Sequence, residues 1–347
     1  MQSCGSHYPV GMRTTEGVMT KGSIGVDIGG TGTKAAVVSE DGKILARAYK
    51  ATDVHAGTKS IIDSVEDLLA QAAQLEVEIQ AVGVGAAGFI NAATGTITFA
   101  PNLVYDDPKV AEALRGRTGL AVTVDNDANA AAWGEYEHGA GRGSEYVAYI
   151  SMGTGVGSGF IIEGRLVRGL TGAGAEMGHT VIDAYGAQCK CGLRGCLEQY
   201  ASGQAITRMA KEAVANDPGS SILAFAGSVD AIGGEHVAKA ARQYDAAARA
   251  VLRRSGRALG IGLSNVANIF DPEVIVLGGG VVAAGEAFLG PARDELAHMT
   301  EQQRRRPIRL AVSELKDDAG IIGAAALGRH EATSPITTRA DRGPGSP

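Results

Sequence analysis

Residues 23–51 read SIGVDIGGTGTKAAVVSEDGKILARAYKA. An apolar strand from Ser23 runs into DIGGTGTK (Asp27 to Lys34), a second strand follows, and Asp41-Gly42 turns the chain into a third. Glycine pairs and Asp-Gly are hairpin residues, so the stretch predicts an antiparallel meander. Ile61, Ile62, Val65, Leu68 and Leu69 recur with helical spacing over Ser60 to Leu75. AVGVGAAG (Ala81 to Gly88) and LAVTVDND (Leu120 to Asp127) read as two more strands.

The second half repeats this order. EYVAYIS (Glu145 to Ser151) enters MGTGVGSG (Met152 to Gly159), then FIIEG and the short strand RLVRG. Helical patterning covers Leu197 to Ala215 and Asp245 to Phe270, where Leu252, Ser255, Leu259, Gly262, Val266 and Ile269 share a face. Asp271-Pro272 stops that helix, since proline cannot continue one. EVIVL leads into Gly278, Gly279 and Gly280, and IRLAVSEL and a helix over Gly320 to Leu327 finish the pattern. Two halves opening on glycine-rich hairpins imply a duplicated α/β fold of two lobes with ligand between them. The expected division is a small lobe at 22–124, completed by a C-terminal helix at 319–330, and a large lobe at 125–318. Residues 1–21 read as a disordered or overcalled extension and 331–347 as a free tail.

Composition narrows the function. With 32 basic and 38 acidic residues among 347, the net charge is −6, which argues against a nucleic-acid surface. The 45% hydrophobic and 20% charged content is that of a globular chain. No apolar run has the length of a signal-peptide core or a membrane span, so a soluble cytoplasmic protein with no membrane partner is expected. Fifty glycines are about twice the usual share, and without a collagen period they point to turns, close packing or ligand loops.

The glycine loops admit three phosphate-site readings. A P-loop pattern is absent. Gly83, Gly85 and Gly88 spell G-x-G-x-x-G, but Asn91, Thr94 and Gly95 follow as turn residues where a dinucleotide site needs a helix. The third reading pairs DIGGTGTK with MGTGVGSG, whose backbone N–H groups can fold around phosphate oxygens, with Thr31, Thr33 and Thr154 adding hydroxyls. Ordinary hairpins would use the same glycines; their corresponding positions in a repeat favour a nucleotide. Asp27 is placed to approach a phosphate-bound magnesium through water.

In VDNDANAAAWGE (Val124 to Glu135), Asp125, Asn126 and Asp127 lie where a strand enters an alanine-rich helix. One of them can be a helix cap, but three exceed what a cap requires. A hydroxyl attacking a γ-phosphoryl group needs a carboxylate to take its proton, which makes Asp127 the candidate base and Asn126 a hydroxyl-positioning amide. His179 lies ten residues before Cys189, which opens C-x-C-x-x-x-x-C with Cys191 and Cys196. One imidazole and three thiolates suit a closed, structural zinc site. That zinc would order the loop 176–198 and present Glu176 and Glu198 to vicinal hydroxyls.

Taken in order, DIGGTGTK, the DND segment, MGTGVGSG, GAEMGH and CKCGLRGCLE resemble the ROK family of sugar kinases and repressors. AVGVGAAGFIN, APNL (Ala100 to Leu103) and DNDANAAAWGEY are most similar to its actinobacterial-type glucokinases. The resemblance implies an actin-like ATPase fold (ribonuclease H-like), ATP with magnesium, phosphorylation of a hexose 6-hydroxyl, and a homodimer or tetramer. It implies that Asp127 is the base, and that Gly88, Asn102, Asn126, Glu176, His179 and Glu198 contact sugar. By the same resemblance Gly29, Gly30, Thr31, Gly153, Thr154 and Gly155 match the phosphate loops, Thr33 and Lys34 belong to the first of them, and Gly278, Gly279 and Gly280 face adenosine. Ala175 stands where the family often has glycine, and Thr33 is a second departure; both residues are small enough to leave the backbone little changed. The cysteine cluster favours ATP over polyphosphate. About 22 residues before the first strand are too few for the DNA-binding domain of repressor members. A kinase for N-acetylglucosamine, N-acetylmannosamine, mannose or fructose, and a non-catalytic sugar sensor, are the alternatives.

Overall fold

Residues 19–29, 32–51, 57–100, 105 and 107–334 of the chain are described in a computed structural model. Strands β1 (Thr20–Ile28), β2 (Gly32–Ser39) and β3 (Ile44–Ala51) form the expected meander, and α1 (Gly57–Gln74) crosses to β4 (Val77–Ala86). A ribbon of β5 (Phe89–Asn91) and β6 (Thr96–Phe99) precedes α2 (Val110–Thr118), β7 (Ala121–Asn126) and α3 (Asp127–His138). The meander recurs as β8 (Val147–Met152), β9 (Val156–Ile162) and β10 (Arg165–Leu166). Helices α4 (Glu198–Ala201), α5 (Gly203–Asn216), α6 (Ser221–Ala226), α7 (Gly234–Arg242) and α8 (Ala246–Phe270) lead to β11 (Val274–Gly278). Then come α9 (Glu286–Met299), α10 (Glu301–Arg305), β12 (Arg309–Val312) and α11 (Ala319–Thr333).

The two main sheets have orders β3-β2-β1-β4-β7 and β10-β9-β8-β11-β12. Strand for strand this is one topology used twice: an antiparallel hairpin pair, then two parallel neighbours. The central parallel strands β4, β8 and β11 are buried on both sides because helices cover both faces. On one face of the first sheet Ile24, Val26, Val82 and Val84 pack with Ile61, Val65 and Leu68 of α1. On the other, Ala36 and Val38 meet Ile321, Ile322 and Ala325 of α11. No helix among the described residues is long and apolar enough to cross a membrane.

Helix α11 lies on the sheet, and on α3, at backbone distance. A methyl group on Gly25 or Gly83 would sit 2.0 Å from the Ile321 carbonyl oxygen or 1.8 Å from that of Ala324. One on Gly323 would sit 1.7 Å from the Ala130 carbonyl oxygen, in α3. Backbone cannot yield as a flexible side chain can, so Gly323→Val is expected to cost about 3 kcal/mol, the upper end for overpacking. Gly116, inside α2, would find nothing within 4 Å of an added methyl, and Gly116→Ala should stabilise by about 0.5–1 kcal/mol. Urea midpoints at constant slope measure both; equal effects would refute the packing explanation.

Three details differ from the sequence expectation. Ile269 is 70% exposed although its facemates Leu252, Ser255, Leu259, Gly262 and Val266 are buried, because the core-facing stripe leaves α8 through Ala267 and Phe270, which stacks on Phe160. Helix α11 continues to Thr333, and Glu331 accepts a hydrogen bond from Arg168, so residues 331–333 are not part of a free tail. Gly83, Gly85 and Gly88 lead into β5 and no helix, which removes the dinucleotide reading.

Candidate active site and metal centre

Parallel sheets place ligands at the carboxyl ends of their strands. Here register sets the row: Asp27 of β1 pairs with Gly85 of β4, and Gly85 with Asp125 of β7. Just beyond, the Asn126 side chain caps α3, accepting from the amides of Ala128 at 2.9 Å and Asn129 at 3.2 Å, and its Nδ2 donates to the Gly88 carbonyl at 3.2 Å. Asn126 thus does the capping, and Asp127, the first helical residue, turns its carboxylate into a cavity of about 450 Å³.

Asp27, Gly29, Asp127, Thr154, Glu198 and Lys316 are among the residues lining that cavity. Burial raises the Asp127 pKa, with its hydrogen bond from the Ala128 amide opposing. Burial, then the Asp127 charge, pushes Asp27 up to about 6, against the pull of Lys34. Burial also raises Glu176; the His179 ring opposes this, while Asp127 and Glu198 add to it. The Asp127 charge thus acts on both Asp27 and Glu176, the crowding typical of a site built for proton transfer.

The two glycine hairpins face this space. In the first, the Gly29 amide donates to the Gly32 carbonyl at 3.0 Å; Gly30 and Thr31 lie outside the described residues. Thr33 is buried in β2 opposite Ile28, and Lys34 lies opposite Asp27 with Nζ 3.4 Å from the Asp317 carbonyl. In the second, the Gly153 amide donates to the Gly155 carbonyl at 3.0 Å, and the Gly203 amide at the start of α5 donates to the Gly153 carbonyl at 2.8 Å. Gly153 and Thr154 also line a second cavity of about 890 Å³, walled by α5, α7 and Gly280. Gly279, at φ +81, borders the first cavity, and Gly278 is the last residue of β11. Asn102 lies outside the described residues.

The sugar-side expectation centres on the loop 176–198. Ala175 has φ +66, so the alanine in a glycine position keeps the left-handed backbone at a cost of roughly 1 kcal/mol; the departure is more than cosmetic. Gly88, at φ +122, has the Phe99 carbonyl 2.0 Å from where a methyl would stand. Glu198 accepts from the Val156 amide at 3.1 Å, and an added methyl on Gly155 would fall 2.3 Å from its carboxylate. The ligand atoms of His179, Cys189, Cys191 and Cys196 all lie within 4.8 Å of one another. Cys189 Sγ is 3.8 Å from His179 Nδ1, and Cys191 Sγ is 3.6 Å from Cys196 Sγ. Ligands about 2.0–2.3 Å from a tetrahedral zinc stand roughly 3.3–3.8 Å apart, and both of these pairs fall in that range, so the donor set fits the ion. The Gly192 amide closes a turn onto the Cys189 carbonyl at 3.1 Å, and Gly195 passes where a methyl would be 1.6 Å from the Asp183 carbonyl oxygen.

Residues 23–331 match the family model described as the ROK family. The chain belongs to the ROK family. It is 40% identical over 311 residues to a glucokinase of Streptomyces coelicolor, covering 88% of this chain and 97% of that one. It is 37% identical over 305 residues to a glucokinase of Thermotoga maritima, covering 88% and 96%. A crystal structure of a ROK family glucokinase from Streptomyces griseus in complex with glucose and AMPPNP superposes with TM-score 0.77 at 42% identity, covering 89% and 99%. The two sheets are those of the actin-like ATPase fold shared by ROK glucokinases.

Some residues of this ROK site carry no local sequence signal. Lys316 and Asp317 reach the first cavity from the turn before α11, and Gly320 from the first turn of that helix. Gln204, Arg208 and Glu235 reach the second from α5 and α7. The Tyr105 hydroxyl is buried without a partner among the described residues, and burial, then Asp127, pushes its pKa up to about 12. Only proximity in the fold marks them.

Proposed function

We propose that the chain is an ATP-dependent glucokinase, with Asp127 as the general base that takes the proton of the glucose 6-hydroxyl. The observation that carries this reading is the meeting of Asp127, Asp27, Glu198 and the Gly153–Gly155 turn in one cavity, joined through Gly153 and Thr154 to a second of nucleoside size. Relatives that act as glucokinases, similar over nearly the whole chain, support the substrate.

In this reading Gly29, Gly30, Thr31, Thr33, Lys34 and Gly153 to Gly155 serve the phosphates, and Gly278 to Gly280 the adenosine. Gly88, Asn102, Asn126, Glu176, His179 and Glu198 orient the sugar so that its 6-oxygen faces both Asp127 and the γ-phosphorus. As the proton passes to Asp127, that oxygen bonds to phosphorus and the bond to the β-phosphate oxygen breaks, releasing ADP. Asp27 would hold magnesium through water, and magnesium supplies the charge neutralisation that the few cations of the cavity do not. Four protein ligands leave a zinc at His179, Cys189, Cys191 and Cys196 no open position, so its part is to hold the loop bearing Glu176 and Glu198. With Nδ1 toward the metal, His179 keeps Nε2 for a sugar hydroxyl. Cytoplasmic residence and a homo-oligomer, dimer or tetramer, belong to the same reading.

A coupled assay with glucose, N-acetylglucosamine, N-acetylmannosamine, mannose and fructose, run with ATP and with polyphosphate, is the test. Glucose with ATP should give the highest kcat/KM. A higher value for another sugar or for polyphosphate would replace that part of the reading, and turnover with none of them would favour a sensor.

A further inference from the structure

Arg168 follows β10, far in sequence from the DND segment and from the end of α11, yet it joins them. Its Nε donates to Asp125 Oδ2 at 2.5 Å and its Nη2 to Glu331 Oε1 at 2.8 Å. The side chain is 15% exposed, and those of Asp125 and Glu331 are 3% and 9%. Asp125 is otherwise filled: its Oδ1 accepts from the Asn126 amide and from Asn129 Nδ2, each at 2.8 Å. Asp125 therefore ties the strand end that carries Asp127 to the first turn of α3, and Arg168 grips the remaining oxygen.

The main chain of Arg168 works in the other direction. Its carbonyl accepts from the Gly174 amide at 3.0 Å and closes the loop leading to Glu176. Within that loop Gly172, at φ +83, lies where a methyl would be 1.8 Å from the Ile90 carbonyl oxygen of β5. The Ala175 carbonyl accepts from Ser158 Oγ and from the Met177 amide. The loop is thus wedged between the lobes, with Arg168 at its root.

We propose that Arg168 is a positioning residue that sets the base segment Asp125–Asp127 and the Glu176 loop relative to each other. The proposal deepens the kinase reading and rests on it for its kinetic consequence. Two buried carboxylates sharing one guanidinium need its planar fork; a lysine ammonium satisfies one of them at a time. Removing the cation leaves both carboxylates buried without a counter-charge; Asp125 draws the strand end and Glu331 the end of α11 toward water, and residue 168, whose carbonyl closes the Glu176 loop, loses its hold on both.

Arg168→Met and Arg168→Lys, with Asp125→Asn as a second handle, test this through steady-state kinetics and amide hydrogen exchange. Arg168→Met is expected to lower kcat about 100-fold and raise the glucose KM about tenfold, with the ATP KM within about twofold of wild type. Arg168→Lys should recover part of both losses. Exchange should quicken at residues 174–179 and stay unchanged in β11. The double variant Arg168→Met/Asp125→Asn should be no worse than the poorer single one, since both remove the same contact. A lowered Tm with kcat and both KM values unchanged, or an ATP KM raised as much as that for glucose, would overturn the proposal. If Arg168→Met does not fold, Arg168→Lys and Asp125→Asn carry the same kinetic test. Wild-type protein inactive on glucose would defeat the kinase reading alone, because the exchange of 174–179 still reports whether Arg168 orders that loop.

Discussion

Asp127→Asn is expected to lower kcat by roughly 10²–10⁴-fold, the usual loss when a general base is removed. The change keeps the shape and the amide oxygen that can still accept from the Ala128 N–H, now at 2.9 Å, so glucose and ATP binding should change little. In the wild type, the acid limb of kcat/KM should lie above the ordinary aspartate range, because burial raises the pKa of Asp127. Activity then falls as pH drops through that raised value and the base becomes protonated.

Stability should move the opposite way. Asp27 has an ordinary pKa of 3.8 and is pushed up to about 6 in the fold, so between those values the folded chain binds protons that the unfolded chain releases. The stabilisation associated with protonated Asp27 is complete below 3.8 and is lost as pH rises through about 6. Asp127 is the second cause of that shift, and its own raised pKa has the same sign. Asp127→Asn should therefore leave Tm at neutral pH equal or higher, and flatten its fall between pH 4 and pH 6. Tm and kcat measured on one preparation separate the cases; a folded variant with near-wild-type turnover would falsify the base assignment.

Zinc removal is expected to have the other large effect. In small peptides such sites contribute ~10–16 kcal/mol of apparent binding free energy. That exceeds what a loop with so few buried apolar residues can supply from packing. Chelation with the cysteines kept reduced should lower Tm, raise the glucose KM strongly, and leave β8 and β11 protected from hydrogen exchange. Added zinc should restore all three. The isolated wild-type chain should carry one zinc; cysteines intact and reduced with far less metal would sink the structural role. Cys191→Ser should act in the same direction as chelation, since the Cys191 sulfur is one of the four clustered ligand atoms.

The parts of this fold visible in the sequence are those whose signal is local. Two glycine hairpins, the Asp-Gly turn, the DND segment and the cysteine spacing each fall within a dozen residues, and each stands as an element of the structure. The glycines of 83–88 show the limit. Sequence shows a glycine-rich strand there without a reason for its glycines, yet Gly83 serves α11, about 240 residues away, and no periodicity encodes a partner so distant. Arg168, Lys316 and Gln204 were hidden for the same reason: an isolated charge or amide acquires meaning only from what the topology sets beside it. Ile269 fails differently: the last turn offers both Ile269 and Phe270 as apolar choices, and only the fold shows that Phe270 is the one facing the core.

The contact of α11 with α3 and β4 is made by main chain at Gly83, Gly134, Gly323 and Gly328. Most packed positions can be retuned by small steps, one methyl exchanged for another, with a compensating change across the interface. From glycine every step is an enlargement, and a carbonyl opposite has no smaller version to offer. The seat of α11 is therefore closed to gradual variation, while the loops around the two cavities are free to drift. Divergence within such a scaffold should show itself as new loops on an old frame, never as a new seat for α11.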